Sequence, residues 1–122
     1  MNAPNTEVPM PASLSTHVLD TARGRPAEGL ALDLYRLEGG ERVHVTATTT
    51  NADGRTDAPL LAEAALGTYE IVFRAGAYLD ARDPDRRAFL GDVPVRFAIV
   101  EDAHHHVPLL LSPFGYSTYR GS

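Results

Sequence analysis

The sequence predicts an all-β protein, a sandwich of two sheets with seven or eight strands and one short helix. Three observations favour this fold class. Apolar residues recur at every second position in several runs, and β-branched and aromatic residues are abundant in those runs. Turn-forming residues separate the runs at intervals of about ten residues, a spacing typical of a sandwich.

Four runs show the period-two pattern most clearly. Successive side chains of a strand point to opposite faces of the sheet, so each run places its apolar set on one face. In chain order the sets are Leu30, Leu32 and Leu34; Val43, Val45 and Ala47; Tyr69, Ile71 and Phe73; and Val93, Val95, Phe97 and Ile99. We expect half-buried strands at these positions.

Glycine and proline mark the places where strands and helix end. Gly39-Gly40 can supply the positive φ angles of a tight hairpin between the strands on either side. The stretch NADGR at residues 51–55 predicts a second turn, with Asp-Gly as its strongest signal. Residues 77–82 are predicted to form one helical turn, which Asp83-Pro84 ends because a residue before proline avoids the α region.

The chain length fits one domain. Two separate cores within 122 residues would each be too small to be stable. Residues 1–11 contain three prolines and no periodic apolar pattern, and we expect them to form a disordered arm. Residues 12–122 are expected to form the folded domain.

Composition narrows the classes of function. The net charge is −5 and the basic residues form no long run, which argues against binding to nucleic acid or to anionic membranes. The N-terminal residues lack the basic and apolar regions of a signal peptide, and no apolar stretch is long enough to span a membrane. Cysteine is absent, which excludes disulfides and thiolate chemistry. We therefore expect a soluble cytoplasmic protein.

The histidines near the C-terminus lie on a predicted strand. Because the apolar residues of this strand should face the core, His104 and His106 should face outward. The apolar set is Val107, Leu109 and Leu111. Pro108 and Pro113 cannot donate to a sheet ladder, so this strand is expected to lie at an edge or to stop early. Residues 116–119 are predicted to form the last strand.

Three histidines could meet at one site. His104 and His106 project to the same strand face, and strand pairing could bring His17 beside them. Three imidazoles can hold zinc and leave one position for water. An imidazole can equally act as a metal-free general base near neutral pH. A third interpretation is that these histidines lie solvated on a sheet edge.

Two further positions could contribute to a polar site. Arg55 follows the Asp-Gly turn, where a guanidinium could polarise a carbonyl or bind an oxyanion. An exposed turn arginine with no further role has the same pattern. Ser122 carries a hydroxyl group and a terminal carboxylate, and both could line a site if this end of the chain is ordered.

Four motifs, in order, carry a resemblance to a known family. They are LSTHVLD followed by GRPA (residues 14–20 and 24–27), TNADGR (residues 50–55), HHHVPLLLSP (residues 104–113) and YSTYRGS (residues 116–122). On these motifs the sequence resembles the transthyretin-related 5-hydroxyisourate hydrolases. The C-terminal tetrapeptide is the motif that separates these enzymes from transthyretin itself.

This resemblance implies a transthyretin-like sandwich that assembles as a homotetramer, with active sites at the dimer–dimer interface. It also implies hydrolysis of 5-hydroxyisourate, an oxidised purine formed from urate, by addition of water across a ring amide without a cofactor. By the same resemblance, His17 and His106 activate water, and Arg55 binds and polarises the substrate. Tyr119 and Ser122 shape the pocket and orient the substrate, with Ser122 in the catalytic set.

One position departs from the pattern of the family. The family usually has an aromatic residue between the two strand histidines, where this chain has His105. A slip of one residue would exchange the imidazoles that face the site, but the VPLL that follows anchors the register, so we expect His106 there. Two alternatives stay open: a non-catalytic carrier of small ligands, and a zinc hydrolase that uses His17, His104 and His106.

Overall fold

Two β-sheets pack face to face in the computed structural model, which describes residues 11–121. The elements in chain order are β1 (Ala12–Asp20), β2 (Arg25–Pro26), β3 (Ala31–Glu38), β4 (Glu41–Thr49), β5 (Leu61–Ala64), β6 (Gly67–Phe73), α1 (Ala75–Arg82), β7 (Val93–Ile99), β8 (His104–Ser112) and β9 (Gly115–Thr118). The predicted two-sheet sandwich with one short helix is confirmed. The predicted arm lies outside the described residues, except for Pro11, and Ser122 lies outside them too.

The described part of the chain has nine strands, against the seven or eight predicted. The excess comes from very short elements: β2 has two residues and β5 has four. A period-two pattern needs several alternations before it can be recognised, so strands of this length leave almost no signal in the sequence.

The pairing of the strands brings distant parts of the chain together. The first sheet has the order β2-β1-β8-β9, with β5 also paired to β1, and the second has the order β4-β3-β6-β7. β1 and β8 run parallel, in register from Ser13 beside His104 to Asp20 beside Leu111. This pairing sets the geometry of the candidate site.

Strand β8 is an inner strand, so the prediction that it lies at an edge or stops early is wrong. It extends over nine residues between β1 and β9. Pro108 has no N–H group, but its carbonyl oxygen accepts a hydrogen bond of 2.7 Å from Thr118 Oγ1. The strand tolerates one missing donor because the pairs on both of its sides remain in place.

The predicted apolar sets face the core in three of the four runs, with the exception in β4. Val43 and Val45 of β4 are 45% and 40% exposed. The core-facing leucines of β3 pair with Thr46 and Thr48, and paired residues of an antiparallel sheet share a face. The threonines therefore occupy the core side of β4. The largest fully buried side chains include Leu14, Leu32, Leu34, Ile71, Phe73, Ile99, Leu109 and Leu111.

Helix α1 starts two residues before the predicted turn and ends at the predicted residue. The hydroxyl of Tyr78 donates a hydrogen bond of 2.8 Å to Asp20 Oδ2, which ties the helix to the end of β1. Gly39 and Gly40 have φ angles of 59° and 85°, which confirms the predicted hairpin. Within the described residues, no helix has the length and apolar character needed to cross a membrane.

Candidate active site

The parallel pairing of β1 with β8 gathers three histidines on one outer face. The residues predicted to face the core from β8 are buried, which confirms that His104 and His106 point away from the core. His17 lies on the half-buried face of β1, because both of its neighbours are buried. The ring centroids of His17 and His106 are 6.5 Å apart, and those of His104 and His106 are 6.4 Å apart.

The predicted turn at residues 51–55 lies against β1 and brings Arg55 to His17. These two residues form an antiparallel bridge, and the N–H of Val18 donates to the carbonyl of Gly54 at 2.8 Å. The side-chain oxygen of Asn51 accepts hydrogen bonds from the backbone N–H groups of Asp53 (2.9 Å) and Arg55 (3.2 Å). The turn therefore holds the guanidinium-bearing residue beside the imidazole.

Gly54 is required for this close approach. Its φ angle is +74°, a region that residues with a Cβ rarely adopt. A Cβ at this position would also overlap the carbonyl oxygen of Val18 and come within 3.3 Å of His17 Cδ2. The glycine of the Asp-Gly pair thus serves the packing of the turn against β1 as well as its conformation.

The C-terminal segment contacts the other histidine. Gly121 bridges His106, and its N–H donates to the His106 carbonyl oxygen at 2.8 Å. A Cβ on Gly121 would lie 2.6 Å from His106 Cδ2, so the glycine backbone lies directly against the ring. This contact was not predicted from the sequence, although Gly121 belongs to the C-terminal motif.

Tyr119 and Arg120 of the C-terminal motif directly follow β9, the edge strand of the first sheet. Tyr119 is 56% exposed and lines a groove together with Phe97 and His105. Arg120 donates from Nη1 to Glu101 Oε1 at 3.1 Å. Ser122 lies outside the described residues. The substrate contacts expected of Tyr119 and Ser122 therefore remain predictions.

Two serines of β1 connect the histidines of β8. Ser13 Oγ lies 2.6 Å from His104 Nδ1, and Ser15 Oγ lies 2.9 Å from His104 Nε2. Ser15 Oγ also lies 2.8 Å from His106 Nδ1. The result is a chain of hydrogen bonds in the order Ser13, His104, Ser15, His106. Ser13, Ser15 and His17 occupy alternate positions of β1 and so share one face of the strand. This spacing is the sequence signal from which the two serines could have been predicted to lie on the site face.

The hydrogen bonds of His104 argue against the zinc alternative. Both ring nitrogens of His104 already have serine partners, so this imidazole offers no free nitrogen to a metal ion. Within residues 11–121, no group of three or more His, Asp or Glu side chains is arranged to hold a metal ion. The donor set proposed for zinc, His17 with His104 and His106, does not converge in this structure.

His105 points to the opposite side of β8. Its side chain is buried, and Nδ1 lies 2.8 Å from the carbonyl oxygen of Ala103, which fixes Nδ1 as a donor. His106 therefore shares the outer face with His17, in the register expected from the VPLL that follows it.

The two facing imidazoles favour their neutral forms. Burial lowers the pKa of His106 below the ordinary value of 6.5, and the charges of Arg55, His17 and His104 lower it further. Burial likewise lowers the pKa of His17, again with help from Arg55, while a backbone hydrogen bond and the carboxylate of Asp53 act in the opposite direction. The charge of Arg55 acts on both rings in the expected direction, but burial is the larger cause.

A sequence profile described as the HIUase/Transthyretin family matches residues 14–121. The chain belongs to this family. It is 60% identical over 115 residues to a protein of Rhizobium meliloti (strain 1021) named 5-hydroxyisourate hydrolase 2, covering 89% of this chain and 95% of the relative.

Solved structures of the family share the sandwich. The structure of Klebsiella pneumoniae 5-hydroxyisourate hydrolase is 40% identical, with a TM-score of 0.78, covering 91% of this chain and 99% of the other. A sea bream transthyretin in complex with thyroxine is 27% identical, with a TM-score of 0.82, covering 89% and 94%. The transthyretin-like fold is thus confirmed. Since a named hydrolase and a transthyretin both have it, the function must be argued from the site.

Proposed function

We propose that this protein hydrolyses 5-hydroxyisourate by opening a ring amide with water. The observation that carries the proposal is the placement of two imidazoles, His17 and His106, on one face with Arg55 bridged to the first of them, in surroundings that favour the neutral form of both rings. The 60% identity to a relative named as a 5-hydroxyisourate hydrolase supports the choice of substrate. A carrier of small ligands has no need of such a set.

The reaction needs a base for water and a positive group for the carbonyl oxygen. In the proposed mechanism, the imidazole pair removes a proton from water as the water attacks the amide carbon. Arg55 donates hydrogen bonds to the carbonyl oxygen, on which negative charge develops. Each of these effects typically contributes a factor of about a hundred to ten thousand. A protonated imidazole then returns the proton to the leaving nitrogen, and the C–N bond breaks.

We also propose that the site is completed by assembly, as a homotetramer with sites between dimers. Aromatic side chains around the C-terminal strand support this proposal, because Phe114, Tyr116 and Tyr119 are 63%, 46% and 56% exposed in the single chain. In the assembled form, Tyr119 and Ser122 would orient the substrate.

The direct test follows the ultraviolet absorbance of freshly prepared 5-hydroxyisourate. The samples are the intact protein with and without chelator, His106→Ala, and a chain that lacks residues 120–122. His44→Ala is the matched control, because His44 lies on the other sheet, where its Nε2 contacts Asp33. We expect fast decay with the intact protein and His44→Ala, no effect of chelator, and loss of activity in the other two samples.

Two results would count against the proposal. Decay no faster than in buffer, from protein shown to be folded, would remove the hydrolase assignment and favour the carrier. Loss of activity with chelator, restored by zinc, would replace metal-free hydrolysis with the zinc alternative.

A further inference from the structure

We propose that Ser15 and His104 share with His106 the proton that His106 takes from water. The inference rests on the proposed function, because it assigns a role within that hydrolysis. Ser15 and His104 would act on the reaction only through His106, so they are positioning residues. His104 would hold the proton between the attack of water and the departure of the ring nitrogen.

The geometry comes from the register of two parallel strands. Ser13 pairs with His104 and Ser15 pairs with His106, and all four side chains lie on the outer face. The Ser15 hydroxyl is within hydrogen-bond distance of one nitrogen of each imidazole, at 2.9 and 2.8 Å. The two rings are nearly parallel, with 20° between their planes. One hydroxyl thus joins the two bases.

The hydroxyl can transmit a proton because it both donates and accepts. A serine carries one hydrogen, so if it accepts from one imidazole it must donate to the other. In the starting arrangement, His106 Nδ1–H donates to Ser15 Oγ, and Ser15 O–H donates to His104 Nε2. His104 Nδ1–H then donates to Ser13 Oγ. This arrangement leaves the lone pair of His106 Nε2 free to act as the base.

The proton balance closes within one reaction cycle. As water attacks, its proton moves to His106 Nε2, the Nδ1 proton of His106 moves to Ser15, and the Ser15 proton moves to His104 Nε2. His106 is again neutral, and the positive charge is on His104. When the C–N bond breaks, each of these protons moves back, and His106 Nε2–H protonates the leaving nitrogen. The starting arrangement is restored without any further reagent.

The surroundings of the two rings favour this transfer of charge. His106 is half-buried and faces His17 from β1 and Arg55 from the turn at residues 51–55, both of which disfavour a positive charge there. His104 is exposed, so water can solvate its charge. The carboxylate of Asp53 acts on His17.

The test compares Ser15→Ala and His104→Asn with Ser15→Thr, which keeps the hydroxyl. Ser112→Ala is the matched control, because Ser112 lies on the same face of β8 and donates to Gly115 O, away from the histidines. We expect kcat to fall at least about tenfold in Ser15→Ala and His104→Asn, with KM nearly unchanged. Ser15→Thr and Ser112→Ala should keep the kcat of the intact protein.

A second readout does not depend on activity. In protein labelled with ¹⁵N-histidine, the ¹⁵N chemical shifts of the neutral His106 ring at alkaline pH should show a proton on Nδ1, the tautomer that the hydrogen bond to Ser15 requires. In Ser15→Ala this preference should be lost, because Nδ1–H then has no acceptor at position 15. Turnover of Ser15→Ala equal to that of Ser112→Ala, or a proton on Nε2 of the neutral His106 ring in the intact protein, would overturn the inference. If the intact protein does not hydrolyse the substrate, the proposed function fails, whereas the tautomer still decides whether Ser15 holds the His106 ring as the inference requires.

Discussion

The backbone of Gly121 lies against the imidazole ring of His106. Its N–H donates to the His106 carbonyl oxygen at 2.8 Å, and a Cβ there would approach His106 Cδ2 to 2.6 Å. Contacts this short essentially never occur, so a side chain at position 121 must displace either the ring or the backbone of the C-terminal segment. The C-terminal segment therefore fixes the position of one of the two imidazoles.

Gly121→Ala is expected to reduce kcat about a hundredfold, because displacement of a catalytic group by about 1 Å has a cost of that size. Gly115→Ala is the matched control, since a Cβ there meets only Ser112 Oγ, at 3.8 Å. Steady-state kinetics with both variants checks the prediction. Equal activity of the two variants would show that the ring position is not set by Gly121.

Gly54→Ala should destabilise the protein more than the φ angle alone requires. Gly54 and Gly24 have similar φ angles, +74° and +68°, but only a Cβ at position 54 would overlap a neighbouring atom, the Val18 oxygen. We expect Gly24→Ala to lower the free energy of unfolding by about 1–2 kcal/mol and Gly54→Ala to lower it by at least about 3 kcal/mol. Urea denaturation measures both. Equal losses would mean that the turn moves away from β1 without cost.

Arg55 is expected to shift the acidic limb of the pH–rate profile to lower pH. The pKa values of His17 and His106 lie below 6.5, so kcat/KM should fall only as the pH drops below that value. Arg55→Gln removes a positive charge, so both pKa values should rise toward 6.5 and the limb should move to higher pH. The variant should also lose about a hundredfold in activity.

Proton NMR titration of the histidine rings tests the same prediction without turnover. Arg87→Gln is the control, because it removes one positive charge from an exposed loop position. If the titration midpoints of the two histidines are the same in Arg55→Gln and Arg87→Gln, the charge of Arg55 does not act on them.

Asp33 should stabilise the fold in a pH-dependent way. Hydrogen bonds from His44 and Arg74 hold the pKa of Asp33 below its ordinary value of 3.8. A carboxylate with a lowered pKa contributes stability above pH 3.8 and loses it as the pH falls through the lower value of the folded state. Asp33→Asn should therefore lower the free energy of unfolding by about 1–3 kcal/mol at pH 7, with the loss shrinking in acid.

Asp92→Asn is the control for this prediction. Asp92 also pairs with Arg74, at 2.7 Å, but its side chain is 53% exposed, so we expect a loss of about 0–1 kcal/mol. Urea unfolding at pH 7 and again below pH 3.8 gives both differences. A loss in Asp33→Asn that stays constant with pH would mean that the carboxylate charge is not its source.

The parts of the fold that the sequence predicts are those that depend on local spacing. The alternating leucines of β3 and the Gly39-Gly40 hairpin can each be recognised from a few neighbouring residues, and the structure contains both. The inward face of β4 was not predictable, because its apolar side faces outward and threonines pair with the core side of β3. The inner position of β8 was not predictable either, since proline argued for an edge.

In the candidate site, too, the predictable features are those that do not depend on which strands pair. Strand alternation predicts that His104 and His106 face outward. His17 and Arg55 are candidates from the sequence alone, and the family resemblance gives them their expected roles. The contact of Gly121 with His106 and the serine bridge between the histidines depend on which strands pair and in which register. Neither pairing nor register is contained in the spacing of one strand, so only the three-dimensional arrangement reveals these contacts.

Ser15 and His106 are 91 positions apart, yet they touch through parallel strands. During synthesis, β1 leaves the ribosome long before β8 exists. An unfinished chain therefore contains Ser15 without His106, and the contact between them cannot form. Closing so long a separation is a late and slow event in folding. Activity that depends on this contact therefore requires that nearly the whole sandwich has assembled. An activity assay of this protein is then also a measure of complete folding.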